Sequence, residues 1–145
     1  MLRGAFRQKP FSQMKSEMLR HALATILGGG LGSLVRFGVG AWTLHHYPNL
    51  RIPWATLGVN WAGCLLVGLI YGWVPDRWFL GFHLRYFIIT GFLGGFTTFS
   101  AFGIETALLF RKGDDLLAWV YIGASVAGGL LLAWAGMRIS TLFSS

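Results

Sequence analysis

Long apolar stretches dominate the chain, and its polar residues fall between them or singly inside them. A bilayer's hydrocarbon core is crossed by about 20 apolar residues of helix, with a range of about 17–25. Four stretches meet that length, at about residues 19–44, 53–74, 86–110 and 116–137. The first contains one charge, Arg36, the third contains Glu105, and the second and fourth contain none. Loop and interface residues separate them: His45-His46-Tyr47-Pro48-Asn49, Pro75-Asp76-Arg77-Trp78, and Arg111-Lys112-Gly113-Asp114-Asp115. Trp42, Trp54, Trp73, Trp78 and Trp134 lie near the ends, where interfacial tryptophans gather. The pattern predicts an all-α integral membrane protein with four transmembrane helices.

Composition agrees. Charged residues make up 12% of the 145 residues and hydrophobic ones 54%, where a soluble domain carries about 25% charge. The mean hydropathy is +0.59. So few charges cannot cover a water-facing surface, so lipid covers much of it. The length suggests one membrane domain, residues 18–140. Residues 1–17 read as a basic flexible tail and 141–145 as a short C-terminal tail. Met18 directly precedes the first span and is a second candidate start. The first apolar run is too long for the core of a cleavable signal peptide.

Four spans put both ends of the chain on one side. That side carries Arg3, Arg7, Lys9, Lys15, Arg20, Arg77, Arg85 and Arg138, against Arg51, Arg111 and Lys112 on the other. Eight against three places the termini in the cytoplasm. Counted from Met18 the ratio is four against three, close to the balance that insertion in both orientations needs.

Glycines recur at spacings that let helices pack closely: Gly28-xxx-Gly32, Gly68-xxx-Gly72, Gly91-xxx-Gly95 and, with serine, Ser125-xxx-Gly129. Four short spans enclose little interior, which favours an oligomer. The lone Cys64 has no partner for an internal disulfide. His21, His45, His46 and His83 fall near helix ends and read as interfacial polar residues rather than metal ligands.

The most informative stretch is Gly91-Phe92-Leu93-Gly94-Gly95-Phe96-Thr97-Thr98-Phe99-Ser100-Ala101-Phe102-Gly103. Paired glycines and threonines are poor helix formers, so the third helix is expected to break near the membrane's midplane. Freed carbonyls in hydrocarbon persist only against protein, water or an ion. They are hard oxygen ligands suited to an alkali cation; a ligand-free packing kink fits the sequence equally well.

Arg36, Asn60, Ser100, Glu105, Thr106, Tyr121 and Ser125 are polar residues inside spans, where a charge is costly and marks a candidate site. Arg36 and Glu105 either neutralise each other or reach to an interface. Asn60 offers two N–H donors. Tyr121 and Ser125 share a helix face and either line a polar track or bond a neighbouring helix. Phe99 and Phe102 also share a face; they pack against lipid or core, or present their positive ring edges to a small anion.

Several function classes are excluded. Gly28-Gly29-Gly30-Leu31-Gly32-Ser33 lacks the strand and spacing of a dinucleotide site, and no Gly-Lys-Ser/Thr phosphate loop occurs. The net charge of +7 is scattered over tail and loops, which argues against nucleic acid. No Ser-His-acid order, metal cluster or paired carboxylates lie within the spans, so an enzyme is not expected. A small multidrug exporter would want a carboxylate deep in the first span, which holds Arg36 and no acid. A scaffolding protein would have no use for a broken, hydroxyl-rich helix.

Gly94-Gly95-Phe96-Thr97-Thr98-Phe99-Ser100-Ala101-Phe102, with Glu105-Thr106 following, resembles the third-helix signature of the Fluc/CrcB fluoride channels. Gly28-Gly29-Gly30-Leu31-Gly32-Ser33-Leu34-Val35-Arg36-Phe37 and Thr56-Leu57-Gly58-Val59-Asn60-Trp61-Ala62-Gly63-Cys64 are similar to the first- and second-helix motifs, in the same order. The resemblance spans about residues 18–140. It implies passive, fluoride-selective export of fluoride from the cytoplasm across the cell's inner (plasma) membrane, by an antiparallel, dual-topology homodimer with two pathways and a central structural sodium. Backbone carbonyls of Gly94 and Thr97 would hold the sodium. Phe99 and Phe102 would supply ring edges, Asn60 a donor, Ser100, Tyr121 and Ser125 polar lining, and Arg36 would lie toward a vestibule. Two positions depart from the usual pattern: Ala101 stands where threonine is common, and Gly129 where another pore serine is expected.

Overall fold

The computed structural model describes residues 11–73, 78–79 and 82–142. Its elements are α1 (Phe11–His46), α2 (Trp54–Trp73), a two-residue hairpin β1 (Trp78–Phe79) and β2 (Phe82–His83), a π-helix π1 (Tyr86–Leu93), a single turn α3 (Gly94–Phe96), α4 (Phe99–Arg111) and α5 (Asp115–Leu142). The hairpin pairs Trp78 with His83 and Phe79 with Phe82. Three stretches, Ser12–His46, Tyr86–Arg111 and Asp115–Leu142, are long and apolar enough to cross a membrane. The remaining expected span, the second, is α2, 20 residues long, with a shorter apolar stretch at Trp54–Ile70. At 1.5 Å per residue α2 is about 30 Å long, which is one hydrocarbon thickness.

Helix reaches into both stretches that the sequence reads as tails. Residues 11–17 continue α1 as helix instead of forming part of a flexible tail, and α5 runs to Leu142, past the expected end at 140. The reason is local. Gln13, Met14, Lys15, Glu17, Met18 and Leu19 are good helix formers, and a charge that ends a membrane span need not end a helix. The rest of the expected basic tail, with Arg3, Arg7 and Lys9, lies outside the described residues, as do residues 143–145 and the loop residues Pro75, Asp76 and Arg77.

Contacts fix the direction of each helix. Thr25 reaches the Tyr86 carbonyl (3.5 Å), and further along both elements Ser33 and Arg36 reach Gly95 (3.3 and 3.1 Å), so α1 and π1–α3 run parallel. Trp61 Nε1 donates to the Ala124 carbonyl (3.0 Å), and seven residues on Gly68 packs against Ala133, so α2 and α5 also run parallel. Asn60 meets Thr98, whereas Thr56, earlier in α2, meets Glu105, later in α4; these two helices are antiparallel. Direction therefore alternates along the chain, and the bundle begins and ends on one side. Arg51 pairs with Asp114 at the other side, tying the α1–α2 loop to the α4–α5 turn.

That turn is set by Gly113, whose φ of +77° is left-handed. Around it the N–H of Lys112 reaches the Leu108 carbonyl and that of Asp114 the Leu109 carbonyl, closing α4 as glycine-ended helices do.

Two small apolar clusters hold the helices. Leu57, Leu109, Ala118 and Tyr121 form one near the Gly113 turn. Val59, Leu93 and Phe96 form the other, beside the break in the third span. Most of the remaining apolar surface is exposed, with Phe37, Ile26 and Leu34 on α1 and Leu130 and Leu131 on α5. A patch of that size on a monomer implies lipid or another subunit as its cover.

Candidate functional site

The third span is broken where the sequence predicts. Its first half is wound as π-helix, an arrangement that periodicity does not reveal; π-turns are rare and recur at functional sites. Helix stops at Phe96. Thr97 (φ −81°, ψ 157°) and Thr98 (φ −150°, ψ 121°) are extended, and helix resumes at Phe99. Thr98 starts α4 as a helix cap: its Oγ1 accepts the Ala101 N–H (3.2 Å). The two threonines thus divide the work. Thr97 closes the first half, with its N–H and hydroxyl both donating to the Leu93 carbonyl (3.0 and 2.9 Å), and Thr98 opens the second.

Side chains from two neighbouring helices brace the break. From α2, Asn60 pairs with Thr98 at two points: its Nδ2 donates to the Thr98 carbonyl (3.0 Å) and its Oδ1 accepts the Thr98 N–H (2.8 Å). One of the two donors expected of Asn60 is therefore engaged, and one N–H remains. From α1, Ser33 and Arg36 both donate to the Gly95 carbonyl. Among the described residues no side-chain donor meets the carbonyls of Gly94 or Thr97. Gly94 is exposed.

Arg36 and Glu105 do not neutralise each other. Arg36 caps the broken helix, while Glu105 Oε1 accepts from Thr56 (2.7 Å) and Oε2 from the Tyr121 hydroxyl (2.7 Å). Tyr121 is 1% exposed, and its ring lies 5.4 Å from that of Phe102. Tyr121→Phe is expected to remove one donor from a half-buried carboxylate and lower stability by about 2 kcal/mol, the range for hydrogen bonds to charged groups. Thermal unfolding in detergent checks this, and an unchanged midpoint would mean that the bond contributes nothing.

A groove of ≈ 520 Å³ runs along the break. Asn60, Cys64, Gly94, Thr97, Thr98, Phe99, Phe102, Ser125 and Gly129 are among its lining residues. Phe99 is 81% exposed, and its ring centroid lies 5.4 Å from that of Phe102 at an interplanar angle of 48°. Ser125 Oγ is buried without a hydrogen-bond partner. Gly129, where a serine was expected, faces Cys64 Sγ instead.

The structure therefore brings Asn60, Phe99, Phe102 and Ser125 together with Gly94 and Thr97. Tyr121 and Ser100 are not part of that lining. Tyr121 lies beneath Phe102 and turns its hydroxyl to Glu105, and Ser100 is exposed in the first turn of α4, 3.2 Å from Thr98 Oγ1. Arg36 is on the α1 side of the break. Sequence reasoning missed Ser33, Thr56 and Thr98 as working residues. Thr98 carried a usable signal, a threonine directly before a resumed apolar helix, which is the pattern of a helix cap.

Known proteins resemble the chain over nearly all of this framework. A family model described as CrcB-like protein, Camphor Resistance (CrcB), matches residues 23–137. A protein of Pseudomonas fluorescens (strain SBW25) named fluoride-specific ion channel FluC is 42% identical over 125 residues, covering 86% of this chain and 100% of the relative. A relative of the same name from Azotobacter vinelandii (strain DJ / ATCC BAA-1303) is 45% identical over the same shares. One from Flavobacterium psychrophilum (strain ATCC 49511 / DSM 21280 / CIP 103535 / JIP02/86), also so named, is 41% identical over 79% of the chain and 91% of its own length.

Proposed function

The chain belongs to the CrcB-like family, and on that premise we propose that it is a fluoride-selective channel giving fluoride a passive exit from the cytoplasm, which lowers its concentration and toxicity there. It is a multi-pass membrane channel and not an enzyme; the cell's inner (plasma) membrane is its proposed site.

One observation supports the reading: Asn60, Phe99, Phe102 and Ser125 all line the groove at the break, and the Ser125 hydroxyl there has no hydrogen-bond partner. Fluoride is small and strongly hydrated, so a pore must replace its water with donors strong enough to admit it and weak enough to release it. The positive edges of Phe99 and Phe102 are such donors. Asn60 contributes its remaining N–H, and Ser125 contributes the hydroxyl that otherwise stays unsatisfied, a costly condition for a buried polar group. Ser100 extends the polar lining beyond the groove, Tyr121 supports it from behind Phe102 by holding Glu105, and Arg36 supplies positive charge toward the vestibule.

A structural sodium fits the same break. The carbonyls of Gly94 and Thr97 are hard oxygen donors without side-chain partners. Among the described residues no group of three or more His, Cys, Asp or Glu is assembled, so the donors suit a hard alkali cation and not a transition metal. Gly94 and Thr97 would hold sodium, which supplies a fixed positive charge at the subunit junction. A second copy, inserted antiparallel, would complete the carbonyl set and cover the exposed Phe99, Val126 and Leu130; the broken helices of the two subunits would give two pathways.

The proposal is tested in cells that lack their own fluoride exporters. After a fluoride challenge, cells making this protein should hold less intracellular fluoride, read by electrode after lysis, than cells with an empty vector. Equal accumulation with the protein inserted in the membrane would contradict it.

A further inference from the structure

Five successive carbonyls, from Gly94 to Thr98, belong to the stretch where the third span stops and restarts, and any of them could offer an oxygen to a cation. Side chains from other helices occupy two of the five. Ser33 and Arg36, one turn apart on α1, converge on Gly95, and Asn60 on α2 holds both backbone atoms of Thr98. Arg36 Nε, at 3.1 Å, brings a charged donor to a carbonyl that helix termination leaves without an intrahelical partner. The Asn60 amide acts as a one-residue strand partner, which matches the extended backbone of Thr98.

We propose that Ser33, Arg36 and Asn60 are positioning residues that decide which carbonyls of the break are presented to a cation and how rigidly. By holding Gly95 from one side and Thr98 from the other, they fix the intervening Phe96–Thr97 turn. The Gly94 and Thr97 oxygens are then left to coordinate at a set spacing. Arg36 acts here through the backbone; it need not touch a permeating anion. This inference rests on the proposed sodium site and assigns the residues that give that site its size.

Rigidity, with the number of oxygens, contributes to cation choice: a fixed set favours one ion radius, whereas a loose set adapts to several. The test is a titration of the purified protein in detergent with sodium and, separately, potassium, following the dimeric fraction by cross-linking. The readout is the ratio of potassium to sodium concentration needed for half-maximal dimer. In the unaltered protein the ratio is expected to be well above one. Ser33→Ala, Arg36→Met and Asn60→Leu should each lower it by about tenfold, which corresponds to about 1.4 kcal/mol of lost discrimination between the two cations. Arg36→Lys, which keeps a donor, should restore most of it.

Other roles predict other results. If Arg36 acted only as a charge, Arg36→Met would shift both titrations alike and leave the ratio unchanged. If the three residues were merely structural, the variants would unfold at lower temperature with the ratio intact. Either result overturns the proposal, and the small change Ser33→Ala keeps the test available should a larger one fail to fold. Cation-indifferent assembly of the unaltered protein would overturn the sodium site together with this inference, while fluoride flux, measured separately, would still stand or fall alone.

Discussion

Replacing Phe99 by isoleucine should reduce fluoride flux at least about tenfold, the factor that corresponds to about 1.4 kcal/mol of lost site stabilisation, while the protein stays folded. The side chain is 81% exposed within the chain, so its loss removes little packing inside the subunit. Isoleucine keeps the apolar bulk and removes the ring's positive edge, the property invoked to hold an anion. Phe102→Ile should reduce flux as well, but less cleanly. That ring packs against Tyr121 and the cluster around Leu57 and Leu109, so a loss of stability will accompany the loss of flux. Flux through proteoliposomes, with chromatographic profile and circular dichroism as controls, decides the matter. Wild-type flux in both variants would remove the aromatic-edge mechanism.

The second large effect is expected at a glycine on α1, where the helix meets backbone. A Cβ at Gly32 would collide with the carbonyl of Phe92 and lie 2.8 Å from the backbone nitrogen of Phe96. Backbone on both sides leaves nothing to rotate away, so α1 would have to move off π1 and α3. Gly32→Ala should destabilise the protein by about 3 kcal/mol, the upper end of the range for overpacking. It should also disturb the Gly95 contacts made by Ser33 and Arg36 on the same helix. Gly30→Ala is the matched control. Nothing lies within 4 Å of a Cβ there, and alanine is the better helix former by up to about 1 kcal/mol, so that variant should be neutral or slightly more stable. Thermal unfolding in detergent compares the two; equal midpoints would mean that the close approach of α1 and π1 carries no stability.

Much of the fold was legible in the sequence because the bilayer sets a length and forbids unpaired backbone. The spans followed from runs of apolar residues, and the break from Gly94-Gly95 and Thr97-Thr98, whose chemistry opposes continuous helix. The ends were not legible. Residues 11–17 and 141–142 are helical because helix propensity continues where hydrophobicity stops. The π-winding of Tyr86–Leu93 also left no periodic trace.

Partners were legible only as needs. A carboxylate at Glu105 inside an apolar run must find donors, yet nothing local says that they are Thr56, 49 positions away, and Tyr121, 16 away. Asn60 reads as a pair of N–H donors, and nothing local says that one of them braces a backbone 38 positions away. Arg36, for the same reason, reads either as half of an ion pair with Glu105 or as a charge reaching to an interface, when its partner is a neutral carbonyl. In each case a one-dimensional pattern shows that a polar group requires satisfaction, and only packing chooses the residue that supplies it.

The proposed function requires that the groove at the broken helix conduct fluoride selectively. The most direct measurement is efflux from liposomes that contain the purified protein, with fluoride inside one set and chloride inside the other. Rapid fluoride release with chloride retention is the expected result. Equal release of both ions, or no fluoride release from folded, inserted protein, would contradict it.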